Sequence, residues 1–458
     1  MKTHLSVARP SALSRLYGEA GLPAGIQRSL NFMLMGNLFG NLFGIICGAG
    51  TTAMIGLANE LHAGDLAFGL ISGIPQAAML LQIPFAMLVS RTHMRKRYLL
   101  TYGLFSRFLW TLFGLIPSFV PGTPSWLRLG ALIGMLAVSS CCSAALNVCW
   151  LPWVSDLAPA HIRGRWFSFR DTIIAGCNLA FGLLVARLLD TMPRGSRYAI
   201  IFLIGGVLGM LDMICFGFCE ETPMAQPAQT HLKNVLGDVF KNKPFMRLVW
   251  MWTAWCFTAN LCEPYLGRYS INEMHLNFTQ MMLFGTAAAS VMTIVMMRRW
   301  GRALDRFGSR SVMMVATLGA ALANVFYLFS TPGSVWPVML RNALGAAFWC
   351  GSNLAANNMQ LYTSPDESRP MYIALFSCTA SLVGTALGSL TGGTLLELWD
   401  GAGWFAGGFD RYKALIALAT VLRVGSALAL VPPLQNDREG TPGMLVRSVL
   451  QAFHLHRR

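Results

Sequence analysis

Charge is scarce in this chain. Only 12% of its 458 residues are Asp, Glu, Lys or Arg, against about 25% in a soluble globular domain. Hydrophobic residues make up 54% of the sequence and mean hydropathy is +0.51. That shortage excludes an ordinary soluble fold and points to a chain that crosses the bilayer repeatedly. Acids are scarcer than bases, since 20 Asp and Glu against 35 Lys and Arg leave a net charge of +15. Such a surplus would suit a nucleic-acid binder, but the basic residues fall in short stretches between apolar runs and form no single patch. No nucleic-acid partner is expected. All 11 cysteines lie within or at the ends of apolar segments, none in a CxxC or Cys/His spacing, which excludes a zinc site or a disulfide framework. No His falls in an apolar run, and no Ser/His/Asp or paired-carboxylate arrangement emerges, so an enzyme is not expected. A GxxxxGK[ST] phosphate loop is also missing, which removes ATP as a driver; no cofactor or metal is expected. The first 25 residues hold no apolar core with a cleavage site, so no signal peptide is expected and the first apolar run should direct insertion.

What the sequence has in abundance is apolar length. Windows of about 20 apolar residues mark twelve spans, at 30–57, 66–89, 98–120, 127–151, 171–191, 198–219, 246–267, 278–297, 311–331, 334–361, 371–396 and 412–432. The longest polar interval, about Glu220 to Lys243, contains Pro223, Gln226, Pro227 and Gln229 and divides the spans six and six. The expectation is an all-α membrane protein of twelve transmembrane helices. Its parts would be a tail at 1–29, a six-helix bundle at 30–219, a linker at 220–245, a second bundle at 246–434 and a tail at 435–458. Lys and Arg set the orientation: 25 fall in the tails and alternate loops of one side and 7 on the other, with Arg107, Arg341 and Arg423 inside spans completing the 35. By the positive-inside rule both termini are cytoplasmic, and the expected location is a bacterial inner membrane.

The halves echo one another. Asn59-Glu60-Leu61-His62 after the first span corresponds to Asn272-Glu273-Met274-His275 after the seventh; Ser90-Arg91 and Arg95 match Asp305-Arg306 and Arg310 in spacing; Pro159 with Arg163 matches Pro365 with Arg369. Three matches in the same order indicate a duplication, so two six-helix repeats are expected. The segment Gly301-Arg-Ala-Leu-Asp305-Arg306-Phe-Gly308-Ser-Arg310 is read as a charged turn between two apolar runs, on the face marked cytoplasmic by five Arg from Arg298 to Arg310. Its order of Gly, Asp-Arg, Gly and Arg resembles the loop signature of the major facilitator superfamily. Arg91 to Arg97, Asp156 to Arg165 and Glu220-Glu221-Thr222-Pro223 are weaker marks of the same family. The resemblance spans nearly the whole chain and is specific for superfamily, not for substrate.

The resemblance implies a facilitator fold of two bundles that rock about a central site, with the charged segment as a cytoplasmic latch. Gly301, Asp305, Arg306, Arg310, Asp156, Arg91 and Arg95 are its gating candidates. Asp305 would cap the amino end of the fifth helix near Ser168 and Phe169, where unpaired amides and the dipole favour an anion, and Arg306 or Arg310 could pair with Asp156. In the first half the matching Gly and Asp positions read Ala86 and Ser90, so the latch is expected to be one-sided. The plain alternative is that these Arg only obey topology. The Gly-Pro-rich fifth-helix signature of drug/proton antiporters is absent.

The resemblance also implies that helices one, four, seven and ten line the cavity. On the first, Gly36, Gly40 and Gly44 form a packing stripe, while Asn37 and Asn41, four apart, project side by side from an adjacent face. Paired amides suit a polar solute, or else only bond helix to helix. The fourth helix offers Ser139, Ser140, Ser143, Asn147 and Trp150. The seventh offers Trp252, Trp255, Asn260, Glu263 and Tyr265; the tenth, Arg341, Asn342, Trp349, Asn353 and Asn357. Aromatic planes among amides fit sugars, nucleosides or other flat polar molecules, although tryptophans also anchor spans at interfaces.

Charges inside spans are the sharper signal, because each costs about 2.5–3.5 kcal/mol at mid-bilayer and is normally paired or functional. Counting residues from the membrane faces puts Glu263 and Arg341 at one depth, so an ion pair between them is expected, breakable by a proton or an anionic substrate; alternatively Glu263 merely faces external water. Asp212, Arg107 and Arg423 are further intramembrane charges without an assigned partner. The leading expectation is a monomeric secondary transporter for a small polar solute, with protons a candidate coupling ion through Glu263 or Asp212 and symport a candidate mode. The other reading is a non-transporting facilitator-fold sensor or assembly factor.

Overall fold

The computed structural model describes residues 24–116, 123–157, 160–193, 196–221, 232–365, 369–403, 405, 410–435, 441 and 443–444. The tail up to residue 23, the middle of the expected linker at 222–231 and most of the C-terminal tail lie outside these residues, as do Pro159 and the side chains of Arg163 and Ser168. Among the described residues every regular element is a helix. Among the described residues helices occupy each of the expected spans, and nine of them are long and apolar enough to cross a membrane. The other three expected spans are filled by Arg95–Phe113, Lys243–Asn260 and Trp336–Thr363. These are the more polar spans, carrying Arg107, Asn260, and Arg341 with its run of Asn.

Two expected spans are broken at corresponding places in the two halves, by different local devices. The first ends as Ala24–Ile46, and after Gly48 and Gly50 the hydroxyl of Thr51 caps a short helix, Thr52–Glu60, by accepting from Met54 N at 3.3 Å. The seventh ends as Lys243–Asn260, and Pro264 in a first turn starts Glu263–Asn272. Both short helices finish at the repeated Asn-Glu-(Leu/Met)-His motif with a left-handed histidine, His62 at φ 56° and His275 at φ 54°. The sequence duplication is therefore also a duplication of backbone.

The segment read as a charged turn is not one. Helix Ala288–Phe307 runs through Gly301, Asp305 and Arg306, Gly308 N bonds to Leu304 O at 3.0 Å, and Ser309–Ala323 begins at the next residue. The whole reversal falls on Gly308, at φ 80° and ψ 164°, a conformation that essentially only glycine adopts. π-helical turns occur at Met281–Ala287, directly before Ala288–Phe307 in the same span, and at Ala380–Ala386, a feature often found at functional sites.

The chain divides into two compact units, residues 1–63 with 78–228, and residues 64–77 with 229–458. In the first, the glycine stripe of Ala24–Ile46 lets that helix lie directly on Arg197–Gly217: a Cβ on Gly36 would stand 2.8 Å from Phe216, and one on Gly40 2.7 Å from Asp212 Oδ2. Ser106 joins Arg95–Phe113 to Ser125–Leu157 through Ser139 at 2.8 Å and Ser143 at 3.2 Å, so those two serines are interhelical glue. In the second unit Trp252, Trp255, Trp300 and Phe376 form the core, with Trp300 Nε1 donating to Ala347 O at 2.6 Å.

Candidate solute site

Each unit has a polar cavity walled by its own helices. That of the second unit has a volume of about 310 Å³ and is lined by Asn260, Glu263, Asn324, Arg341, Asn342, Trp349 and Arg423 among small Ala and Gly residues. Glu263 stands in the break between two helices, where the start of Glu263–Asn272 holds its side chain at the wall. Arg341 reaches it from Trp336–Thr363 and bonds through all three of its nitrogens: Nη2 donates to Glu263 Oε2, Nη1 to Asn342 Oδ1 at 3.0 Å and Nε to Asn324 Oδ1 at 3.1 Å. Asn260 donates back to Cys256 O at 2.8 Å and across to Thr385 Oγ1 at 3.4 Å, which leaves its oxygen for other partners.

Arg423 enters the same cavity from Arg411–Leu430. It is 3% exposed, and its guanidinium lies over the Trp255 ring at 4.4 Å. Trp255 in turn stacks on Trp349 with ring centroids 6.1 Å apart.

The cavity of the first unit, about 260 Å³, is lined by Asn37, Gly40, Asn41, Arg107, Asn147, Trp150 and Asp212 among apolar residues. Arg107 lies 3.5 Å from Asp212 and 3.9 Å over the Phe43 ring. The pair is loose, with Arg107 Nε and Asp212 Oδ1 buried and without partners. Asn37 and Asn41 do stand together at this cavity, and each donates to the carbonyl four residues earlier, Met33 O at 2.7 Å and Asn37 O at 2.8 Å.

The remaining candidates are elsewhere. Ser140 and Trp252 are buried and, with Asn353, line neither cavity. Asp156 accepts from Arg95 at 2.7 Å within the first unit, a partner other than the expected Arg306 or Arg310. Arg310 donates to Pro432 O at 3.5 Å, while Arg306 lies over the ring of its neighbour Phe307 at 5.2 Å.

One charged cluster was missed in the sequence because its acid sits at the start of a span. Asp65, 3% exposed, belongs to the second unit and pairs with Arg268 at 2.8 Å and Arg411 at 3.4 Å, while Tyr412 donates to it at 2.9 Å. A Cβ on Gly393 would stand 2.8 Å from Asp65 O, so the backbones there are in direct contact.

A family model described as Major Facilitator Superfamily matches residues 34–299. Among solved structures the chain is similar to a D-xylose–proton symporter, with TM-score 0.65 and 15% identity over 90% of this chain and 98% of that one. It is similar to the nucleoside transporter NupG, with TM-score 0.69 and 14% identity over 88% and 99%. An auto-inhibited POT-family peptide transporter gives TM-score 0.69 at 10% identity over 91% and 99%. At these identities the likeness is one of fold. No match was found among curated protein sequences.

Proposed function

The chain belongs to the major facilitator superfamily, and from that premise we propose that it is a secondary active transporter moving a small polar solute by alternating access. The observation that carries this reading is the ion pair of Glu263 with Arg341 at the wall of a polar cavity inside a unit of membrane-spanning helices. A charge pair kept in that setting is expensive and is normally retained for function. A protein without a solute would have no use for a cavity walled by two guanidinium groups, a carboxylate and three amides.

Binding is assigned to Asn260, Glu263, Arg341, Asn342 and Trp349 in the second unit and to Asn37, Asn41 and Asn147 in the first. Glu263 and Asp212 are the candidate proton sites, because each faces an arginine that a proton on the acid would release. Asp305, Arg306 and Arg310 are assigned to gating. The protein is placed in a bacterial inner membrane with both termini cytoplasmic.

The test is uptake by the purified protein in proteoliposomes, offered sugars, nucleosides, amino acids and organic acids with and without an imposed proton gradient. Saturable uptake above protein-free vesicles supports transport, and its dependence on the gradient supports proton coupling. Absence of uptake for every class overturns the reading.

A further inference from the structure

We infer that the cavity of the second unit is an anion site, built for a small monocarboxylate whose charge is taken by Arg423; this deepens the transport reading and rests on it for the movement of the bound anion across the membrane. The starting observation is an imbalance. Six other largely buried arginines each have a carboxylate: Arg95 has Asp156, Arg107 has Asp212, Arg170 has Asp171, Arg197 has Glu60, Arg268 has Asp65 and Arg341 has Glu263. Arg423 is the exception. It is 3% exposed, lines the cavity, makes no ion pair and donates no side-chain hydrogen bond among the described residues, and its buried Nε has no partner.

A guanidinium cannot shed its proton to relieve this situation. The guanidinium of Arg423 lies over the face of Trp255 at 4.4 Å, a cation–π contact that satisfies none of its directed donors. Glu263 bonds to Arg341 through Oε2 and makes no hydrogen bond or ion pair with Arg423 among the described residues. Among the described residues nothing accepts from the side-chain donors of Arg423.

Charge counting identifies the acceptor. The cavity holds the guanidinium groups of Arg341 and Arg423 against the single carboxylate of Glu263, so one negative charge completes it. A neutral sugar or nucleoside would leave Arg423 unmatched. A phosphate monoester, at about −1.5 to −2 charges, would oversupply the site and contend with Glu263 for Arg341. A carboxylate carries the right charge and matches the planar fork of arginine. The volume of about 310 Å³ suits a small molecule, whose hydroxyl or amide groups would meet Asn260 and Asn342 while Trp349 offers a flat wall.

The test is thermal stabilisation of the full-length protein in detergent by ligands that share a skeleton and differ in charge. The probes are D-glucose, D-glucuronate and glucose 6-phosphate, with lactate and benzoate against their uncharged amides for smaller bodies. The expected result is that at least one carboxylate raises Tm while its neutral partner and the phosphate do not. That shift should vanish in Arg423→Gln and should persist in Arg423→Lys at roughly tenfold higher ligand concentration, about 1.4 kcal/mol. The wild-type charge series decides the matter even if Arg423→Gln fails to fold.

A shift by neutral members with inert carboxylates overturns the anion assignment, and flux of those neutral members would leave the transport reading standing. Silence of every carboxylate, or a carboxylate shift unchanged in Arg423→Gln, overturns the assignment as well. Carboxylate binding that depends on Arg423 without flux in proteoliposomes upholds the anion site and overturns transport.

Discussion

Glu263 and Arg341, 78 residues apart in sequence, are joined by a direct hydrogen bond from guanidinium to carboxylate at the wall of a polar cavity. The partners are unequally buried, with side-chain exposures of 46% for Glu263 and 11% for Arg341. Glu263→Gln keeps the shape and removes the charge, leaving the enclosed guanidinium groups of Arg341 and Arg423 without a carboxylate in the cavity. Transport is expected to fall at least tenfold, with a lower Tm. Arg341→Ala also strips the donors from Asn324 and Asn342 and is expected to lower both transport and Tm. Wild-type flux in both variants would remove the pair from the mechanism.

The pair of Arg107 with Asp212 in the first unit behaves differently, because both side chains are enclosed. Asp212→Ala leaves a buried guanidinium without a counter-charge, a defect expected to cost about 3–5 kcal/mol. Replacing both with Met and Leu removes the unmatched charge and should recover much of that loss. Denaturation of the single and double variants in detergent checks the sign: a double variant less stable than Asp212→Ala would contradict it.

Asp65 is the anchor of a cluster in which Arg268, Arg411 and Tyr412 all point at one carboxylate. Asp65→Ala is expected to destabilise the second unit by about 3–5 kcal/mol, read as faster hydrogen exchange across Glu263–Asn272 and the start of Arg411–Leu430. Unchanged exchange there would show that the cluster carries no structural weight.

The two glycines of the charged segment should respond in opposite directions. Gly308 sits at φ 80°, and Gly308→Ala forces a side chain into a conformation that costs about 1–3 kcal/mol. Gly301 lies inside a helix with nothing within 4 Å of an added Cβ, so Gly301→Ala should stabilise by about 0.5–1 kcal/mol. Thermal melts of the two variants side by side settle the difference.

Legibility in the sequence varied with the kind of signal. The spans were readable because apolar length is a property of consecutive residues. Glu263 and Arg341 were paired by counting depth along two helices, which works when helices start at known faces. The helical path through Asp305 and Arg306 was not legible, because charge marks a membrane face but not where the backbone reverses; Gly308 alone carried that information. The π turns of Met281–Ala287 and Ala380–Ala386 left no trace in composition. Asn324 read as part of an ordinary apolar span, and its role as an acceptor for Arg341 needed the third dimension. Arg423 was visible as a charge in a span, but its lack of a carboxylate depends on where every acid of the second unit lies.

The central claim is movement of a solute across the membrane, and counterflow tests it most directly. Proteoliposomes loaded with an unlabelled ligand found by thermal shift are diluted into a trace of labelled ligand, with no ion gradient imposed. Alternating access gives transient accumulation of label, lost in Glu263→Gln. A ligand that stabilises the purified protein yet produces no accumulation above protein-free vesicles would contradict transport and point to a membrane receptor built on the same fold.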